Sequence, residues 1–195
     1  MSTETPDWNW ANVLRHWIPG DPFQPEQLTV EYYRMKYAVA NFIKPKTICE
    51  IGVRAGYSAA AFLQAGHTKK YVGIDFNAGT HGGIPGYTDY AVRTLSVYNV
   101  ETIIHNRVDS QTLDILPDGP FDLLHVDGDH SAEGAYNDIK LGIKSAKWIL
   151  VDDTDYIDTV SFGTFKAISD FKIEEAYYVY DKKYRGNILI KNPNI

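Results

Sequence analysis

The sequence is short of several things, and each shortage closes off a class of answer. It has one cysteine, Cys49, so no internal disulfide can form. A lone cysteine inside an apolar run reads as a core residue in a reducing compartment. No apolar run reaches the roughly 20 residues that a membrane-crossing helix needs. Cations are outnumbered, 19 Lys and Arg against 25 Asp and Glu, for a net charge of −6. A chain that acidic has no obvious face for a phosphate backbone, so a nucleic-acid partner is not expected, and anionic membranes are disfavoured for the same reason. The opening MSTETPDWNW is polar and acidic, unlike a secretory signal. Repeats and low-complexity stretches are absent. The expectation is a cytoplasmic protein without a membrane or nucleic-acid partner. What is present is ordinary globular material, 195 residues with 44% apolar and 23% charged, enough for one sizeable core.

The most informative stretch is Lys46–Leu63, KTICEIGVRAGYSAAAFL. Thr47–Ile51 is a short β-branched run suited to a buried parallel strand. Gly52–Ser58 is a glycine-punctuated turn. Ala59–Leu63 then opens a helix in strong helix formers. Strand, glycine turn and helix form the entry to a nucleotide-type site: Gly52 allows a sharp turn and Gly56 allows close approach of a ligand. Glu50, near the strand's carboxyl end, would repel a pyrophosphate and suits a ligand that is cationic or rich in donors. A dinucleotide fold expects G-x-G-x-x-G, whereas this chain has E-I-G-V-R-A-G-Y-S. That resembles motif I of the class I S-adenosylmethionine (SAM) methyltransferases, E-x-G-x-x-x-G, whose acidic residue leans toward the methionine end of the ligand. Tyr57 and Ser58 would then offer ring packing and a hydroxyl beside the cofactor, or would simply start the helix.

Taken in order, the chain alternates strands and helices. Residues 1–44 read as a helical extension, either a lid or a dimer contact, and residues 45–195 as the main domain. The extension carries Trp8, Trp10 and Trp17, a short amphipathic helix near Asn9–Trp17, and a longer helix from about Pro25 to Ile43. In the longer helix Leu28, Tyr32, Met35, Val39 and Phe42 fall near helical spacing. Strands follow at Lys70–Phe76, Glu101–His105, Phe121–Asp127 and Trp148–Asp153. Between them come helices at Tyr87–Asn99, with Val92, Leu95 and Val97 inward, and at Ala132–Ile143. A glycine-rich loop lies before Tyr87. A helix over Thr164–Phe171 precedes two alternating strands, Glu175–Tyr180 and Asn187–Lys191, which read as a hairpin. The fold class is therefore α/β: a Rossmann-like, mostly parallel sheet ending in an antiparallel hairpin, with helices on both faces. That order matches the class I methyltransferase sheet.

Open α/β sheets gather their sites at the carboxyl ends of the strands, and here those ends are acidic. Asp75, 25 residues after Glu50, stands where a carboxylate can accept from both ribose hydroxyls. The later ends carry Asp127, Asp129, His130, Asp152 and Asp153. So many acids at one edge repel one another unless cations or ligand donors intervene. Asp127, Asp152 and Asp153 suit a hard divalent ion such as Mg²⁺. The plainer alternatives are a helix cap for Asp129 and His130 and a solvated strand end for Asp152 and Asp153.

VDGDHSAEGAYNDI, with the later ILVDDTD, resembles the methyltransferase family that includes the macrocin and aminocoumarin sugar O-methyltransferases and the cephalosporin-hydroxylase-like proteins. The resemblance spans roughly residues 45–155. It implies Mg²⁺ on Asp127, Asp152 and Asp153, with Asp127 also at the cofactor's edge, and Asp129 as general base beside His130. It implies Asp109 and Ser110 near the adenine. Ala132 replaces the usual aromatic residue, which alters the substrate wall. The reading is a SAM-dependent, Mg²⁺-assisted O-methyltransferase acting on a small hydroxylated molecule, with homo-oligomerisation left open. Its rivals are a non-catalytic SAM-binding module, an NAD-dependent oxidoreductase and a metal-dependent hydrolase.

Overall fold

Strand β1 (Thr47–Ile51) runs through the middle of the molecule and is buried from Ile48 onward. It belongs to a computed structural model that describes residues 8–9, 18, 27–77, 86–155, 157–179 and 186–195. The helix expected at Asn9–Trp17, most of the glycine-rich loop before Tyr87 and the tip of the final hairpin lie outside the described residues. Helix α1 (Gln27–Ile43) precedes β1, and α2 (Tyr57–Leu63) follows it. Next come β2 (Lys70–Asp75), α3 (Tyr87–Leu95), β3 (Glu101–Asn106) and a 3₁₀ turn at Ser110–Thr112. The chain continues through β4 (Phe121–Val126), α4 (Ala132–Ser145), β5 (Ala146–Val151), α5 (Asp158–Asp170), β6 (Ala176–Val179) and β7 (Asn187–Lys191).

The seven strands form one sheet in the order β3-β2-β1-β4-β5-β7-β6. The pairs among β1 to β5 are parallel. β7 enters antiparallel between β5 and β6, which completes the expected hairpin. The order reverses at β1, between β2 and β4, and this is the switch point where ligands of open α/β sheets bind.

Period-2 alternation assigns each side chain to a face. Cys49, Ile51, Val72, Leu124, Val126, Ile149 and Val151 pack with α4 and α5 on one face. Ile48, Tyr71, Leu123, Leu150 and Leu189 pack with α1, α2 and Leu95 of α3 on the other. By the same count Glu50, His125 and Asp152 belong to the α1–α2 face, and all three are buried. Polar residues thus continue an apolar row where Tyr32 and Lys36 of α1 meet it.

Two helix boundaries and the exposure of three apolar side chains differ from what the sequence predicts. The helix expected at Thr164–Phe171 begins earlier, at Asp158. Thr159, Val160 and Gly163 hide its first turns, since β-branched residues and glycine are weak helix formers. Gly163 is needed there: a Cβ would sit 2.3 Å from the Ala132 carbonyl oxygen, so its absence lets α5 close on α4. Helix α3 stops at Leu95, and Val92 and Val97, expected inward, are 50% and 63% exposed. Phe42, at the end of α1, is also exposed, with its ring edge toward Trp148.

Candidate active site

The site begins at the turn after β1. Gly52 has φ +90°, and a Cβ there would lie 1.9 Å from the Asp127 carbonyl oxygen. The positive φ and the close backbone both require glycine. Gly56 also has positive φ, at the start of α2, where it packs against Ala91. Asp127 N–H donates to the Ile51 carbonyl at 2.9 Å and Asp152 N–H to the Val126 carbonyl at 3.0 Å, so the ends of β1, β4 and β5 are tied side by side.

On the β2 side, Asp75 is half-buried. Its Oδ2 accepts Arg54 N–H at 2.7 Å and its Oδ1 accepts Asn77 N–H at 2.6 Å. Each oxygen keeps a lone pair, so the carboxylate is oriented and still able to accept from a diol. Asp109 caps the 3₁₀ turn, taking Gln111 N–H at 3.0 Å, and Ser110 is buried beside it. Tyr57 does not stand open to a ligand: it is buried against Tyr33, and its hydroxyl accepts Ile18 N–H at 2.9 Å. Ser58 is buried in the first turn of α2.

Beneath the turn runs a buried polar chain that the sequence reading did not foresee. Glu50 is fully buried, and both its oxygens are used: Oε2 accepts from the Tyr71 hydroxyl, and Oε1 lies 2.8 Å from His125 Nδ1. His125 Nε2 lies 2.8 Å from Lys36 Nζ, and that nitrogen donates to Asp152 Oδ2 at 2.6 Å. Tyr32 donates its hydroxyl to the same Asp152 oxygen, while Asp152 Oδ1 takes Asp153 N–H at 2.8 Å. An ammonium only donates, so in neutral His125 the Nε2 accepts and Nδ1 carries the proton to Glu50. Burial raises the pKa of the Tyr32 and Tyr71 phenols well above the ordinary value, Asp152 and Glu50 respectively add to it, and both stay protonated donors. Burial works against ionisation of Asp152, but the Lys36 ammonium outweighs it and holds the carboxyl well below the usual range.

Lys36 and His125 are the residues missed. The signal was present for Lys36: it follows Tyr32 by four positions and precedes Val39 by three, so it lies on the inward stripe of α1. His125 sits in the apolar run of β4, where alternation aims it at the same face as Leu123.

The acids beyond the strand ends divide into two groups whose potential ligand atoms lie within 4.8 Å of one another: His125, Asp127 and Asp152, and Asp127, His130 and Asp153. The first includes the two residues that share Lys36. The second stands at the rim. His130 Nε2 is 3.4 Å from Asp127 Oδ1 and 3.9 Å from Asp153 Oδ2. Asp153 has φ +55°, which ends the extended alternation just past β5. The hydrogen bond to Asp127 raises the His130 pKa against partial burial, with Asp153 adding to it. Two hard carboxylates beside an imidazole fit a divalent ion such as Mg²⁺ or Mn²⁺. Asp129 is turned to the start of α4, its Oδ1 accepting Ser131 N–H at 2.9 Å and its Oδ2 the Ser131 hydroxyl at 3.0 Å. Ser131 in turn caps the helix by accepting Gly134 N–H at 2.9 Å.

One further carboxyl lies under this edge. Asp138, on α4, is fully buried, and its Oδ1 accepts Gln111 Nε2 at 2.9 Å. Its Oδ2 has no hydrogen-bond partner among the described residues. Burial pushes its pKa up to about 7, with Asp129 and Asp109 adding to the effect and Ser110 and Gln111 opposing it.

Solved structures of known proteins share this fold. An O-methyltransferase from Bacillus cereus, solved with SAH, superposes with a TM-score of 0.62 at 14% identity, covering 93% of this chain and 87% of that one. The O-methyltransferase TomG from Streptomyces achromogenes, solved with SAM, gives 0.64 at 14% identity, with 96% and 92% covered. The SAH-bound Podospora anserina methyltransferase PaMTH1 gives 0.59 at 18% identity, with 92% and 87% covered. These likenesses establish the fold. In sequence, the chain is 27% identical over 107 residues to glucans biosynthesis protein G of Cereibacter sphaeroides. That match takes in 54% of this chain but only 18% of the relative. The pattern of the family described as "Methyltransferase domain" matches residues 49–154, more than half of the chain, from within β1 past the Asp152-Asp153 edge, and the chain belongs to that family.

Proposed function

We propose that this chain is a SAM-dependent O-methyltransferase for a small hydroxylated molecule, assisted by a divalent ion. The observation that carries the reading is the joint placement, at one switch point, of the Gly52 turn, the oriented Asp75 carboxylate and the His130–Asp127–Asp153 rim. Asp75 would accept from the two ribose hydroxyls of the cofactor. Asp109 and Ser110, one strand further out, would border its adenine. Gly52 leaves the β1 turn low enough for the ligand to cross it. SAM supplies a methyl group on a sulfonium, which an in-line oxygen nucleophile can take. A divalent ion on Asp127 and Asp153 would lower the pKa of an acceptor hydroxyl. His130 is the better-placed base of the two expected, because it stands beside Asp127 and Asp153 at the rim while Asp129 is turned to Ser131 at the start of α4. His130 would take that proton in its neutral form, and because Asp127 raises its pKa, transfer should increase as pH rises.

The test is transfer of a radiolabelled methyl group from SAM to a panel of catechols, vicinal diols and sugars, with Mg²⁺ and with EDTA. Label on an acceptor oxygen, reduced at least a hundredfold by His130→Gln, supports the reading. SAM binding without transfer to any acceptor, unchanged by His130→Gln, would favour a non-catalytic SAM-binding module.

A further inference from the structure

Of the two groups of ligand atoms at the strand ends, one already holds a cation. Lys36 is 0% exposed, and its Nζ stands 2.8 Å from His125 Nε2 and 2.6 Å from Asp152 Oδ2. Those distances are hydrogen bonds from an ammonium, and the Tyr32 ring adds a π face 4.2 Å from Nζ. Asp152 has little left to offer a metal. Its Oδ2 takes both Lys36 and Tyr32, and its Oδ1 takes the Asp153 N–H. Three of the roughly four acceptor positions of a carboxylate are therefore filled. A divalent ion bonded to Asp152 would have to displace a buried ammonium, or stand beside it in a medium that screens like charges poorly. Asp153, one residue on, lies with His130 and Asp127 at the rim.

We propose that the Lys36 ammonium is the resident cation of the His125–Asp152 pocket, so that Asp152 is a partner of Lys36 rather than a metal ligand. The carboxylates left to a divalent ion are then Asp127 and Asp153. Lys36 is a positioning residue: through His125 it ties the edge of the site to Glu50 under the cofactor turn. The metal part of this inference rests on the proposed methyltransferase reading. The pairing of Lys36 with Asp152 does not.

The experiment is a Mn²⁺ titration, followed by the paramagnetic signal of free Mn²⁺, on the full chain, Lys36→Met and the double variant Lys36→Met/Asp152→Asn. The proposal expects Lys36→Met to bind Mn²⁺ at least tenfold more tightly than the wild type, because it frees a carboxylate. It expects the double variant to lose that gain. Binding by Lys36→Met no tighter than wild type, or a gain that survives Asp152→Asn, overturns it. Should the variants fail to fold, anomalous diffraction from wild-type crystals soaked in Mn²⁺ decides. Manganese bonded to an Asp152 oxygen contradicts the proposal, and manganese on Asp127 and Asp153, or none near Asp152, supports it. Calorimetry with SAH on the same wild-type sample keeps the two questions apart, because absence of SAH binding removes the methyltransferase reading while the Mn²⁺ comparison still decides the role of Lys36.

Discussion

Replacing Asp138 by asparagine should stabilise the protein in alkaline solution and not in acid. The carboxyl ordinarily ionises near 3.8, and in the folded protein it does so at about 7. The folded state therefore prefers the protonated form. As pH rises past about 4 the unfolded chain ionises first, and folding becomes progressively less favourable. The loss is complete once pH exceeds about 7, where both states are ionised. The difference of 3.2 between those values, at 1.36 kcal/mol per unit, is about 4 kcal/mol. Asparagine has no charge to bury, and its carbonyl oxygen can still accept from Gln111. Its amide needs a partner that the site does not obviously supply, at a cost of about 1–2 kcal/mol. The net expectation is a variant more stable than wild type by about 2 kcal/mol or more at pH 8, and equal or less stable at pH 4. Urea denaturation at pH 4, 5, 6, 7 and 8 without ligands measures it. A stability difference that does not change with pH would refute the assignment of a buried, proton-bearing Asp138.

Lys36→Met should cost about 3–5 kcal/mol in urea denaturation, because it leaves the Asp152 carboxylate buried without its counter-charge. Adding Asp152→Asn should recover more than half of that, and independent effects of the two changes would contradict their pairing. Gly163→Ala should cost about 1–3 kcal/mol by overpacking against the Ala132 carbonyl, read as a lower denaturation midpoint. Asp75→Asn should weaken SAH binding about tenfold or more while changing the melting temperature by only a few degrees, since it removes a charged acceptor for the ribose.

The sheet was legible in the sequence because its strands are short apolar runs closed by turns, and because their ends carry Glu50, Asp75, Asp127 and Asp152. The final hairpin was legible from alternation in Glu175–Tyr180 and Asn187–Lys191. What stayed hidden depends on contacts between distant segments. Gly163 looks like a helix breaker until Ala132 is seen against it. Val92 and Val97 have the inward chemistry but not the inward position: Val92 lies on the exposed side of α3, and Val97 lies beyond its end at Leu95. Lys36 is the most instructive case. The acidity of the strand ends calls for a cation, and a metal or a ligand is the source the sequence suggests. The structure supplies one from α1, Lys36, which lies 116 residues before Asp152 in the chain. Only the stripe position of Lys36 hinted at it, because lysine is so seldom fully buried. Glu50 likewise reads as a ligand-facing acid from its motif, yet its oxygens are turned to Tyr71 and His125.

The measurement that bears most directly on the account is calorimetric titration of the full chain with SAH, with NAD as control. Binding of SAH in the micromolar range, no heat from NAD and loss of most of the affinity in Asp75→Asn are expected. Binding of NAD, or no binding of SAH with or without Mg²⁺, would contradict it.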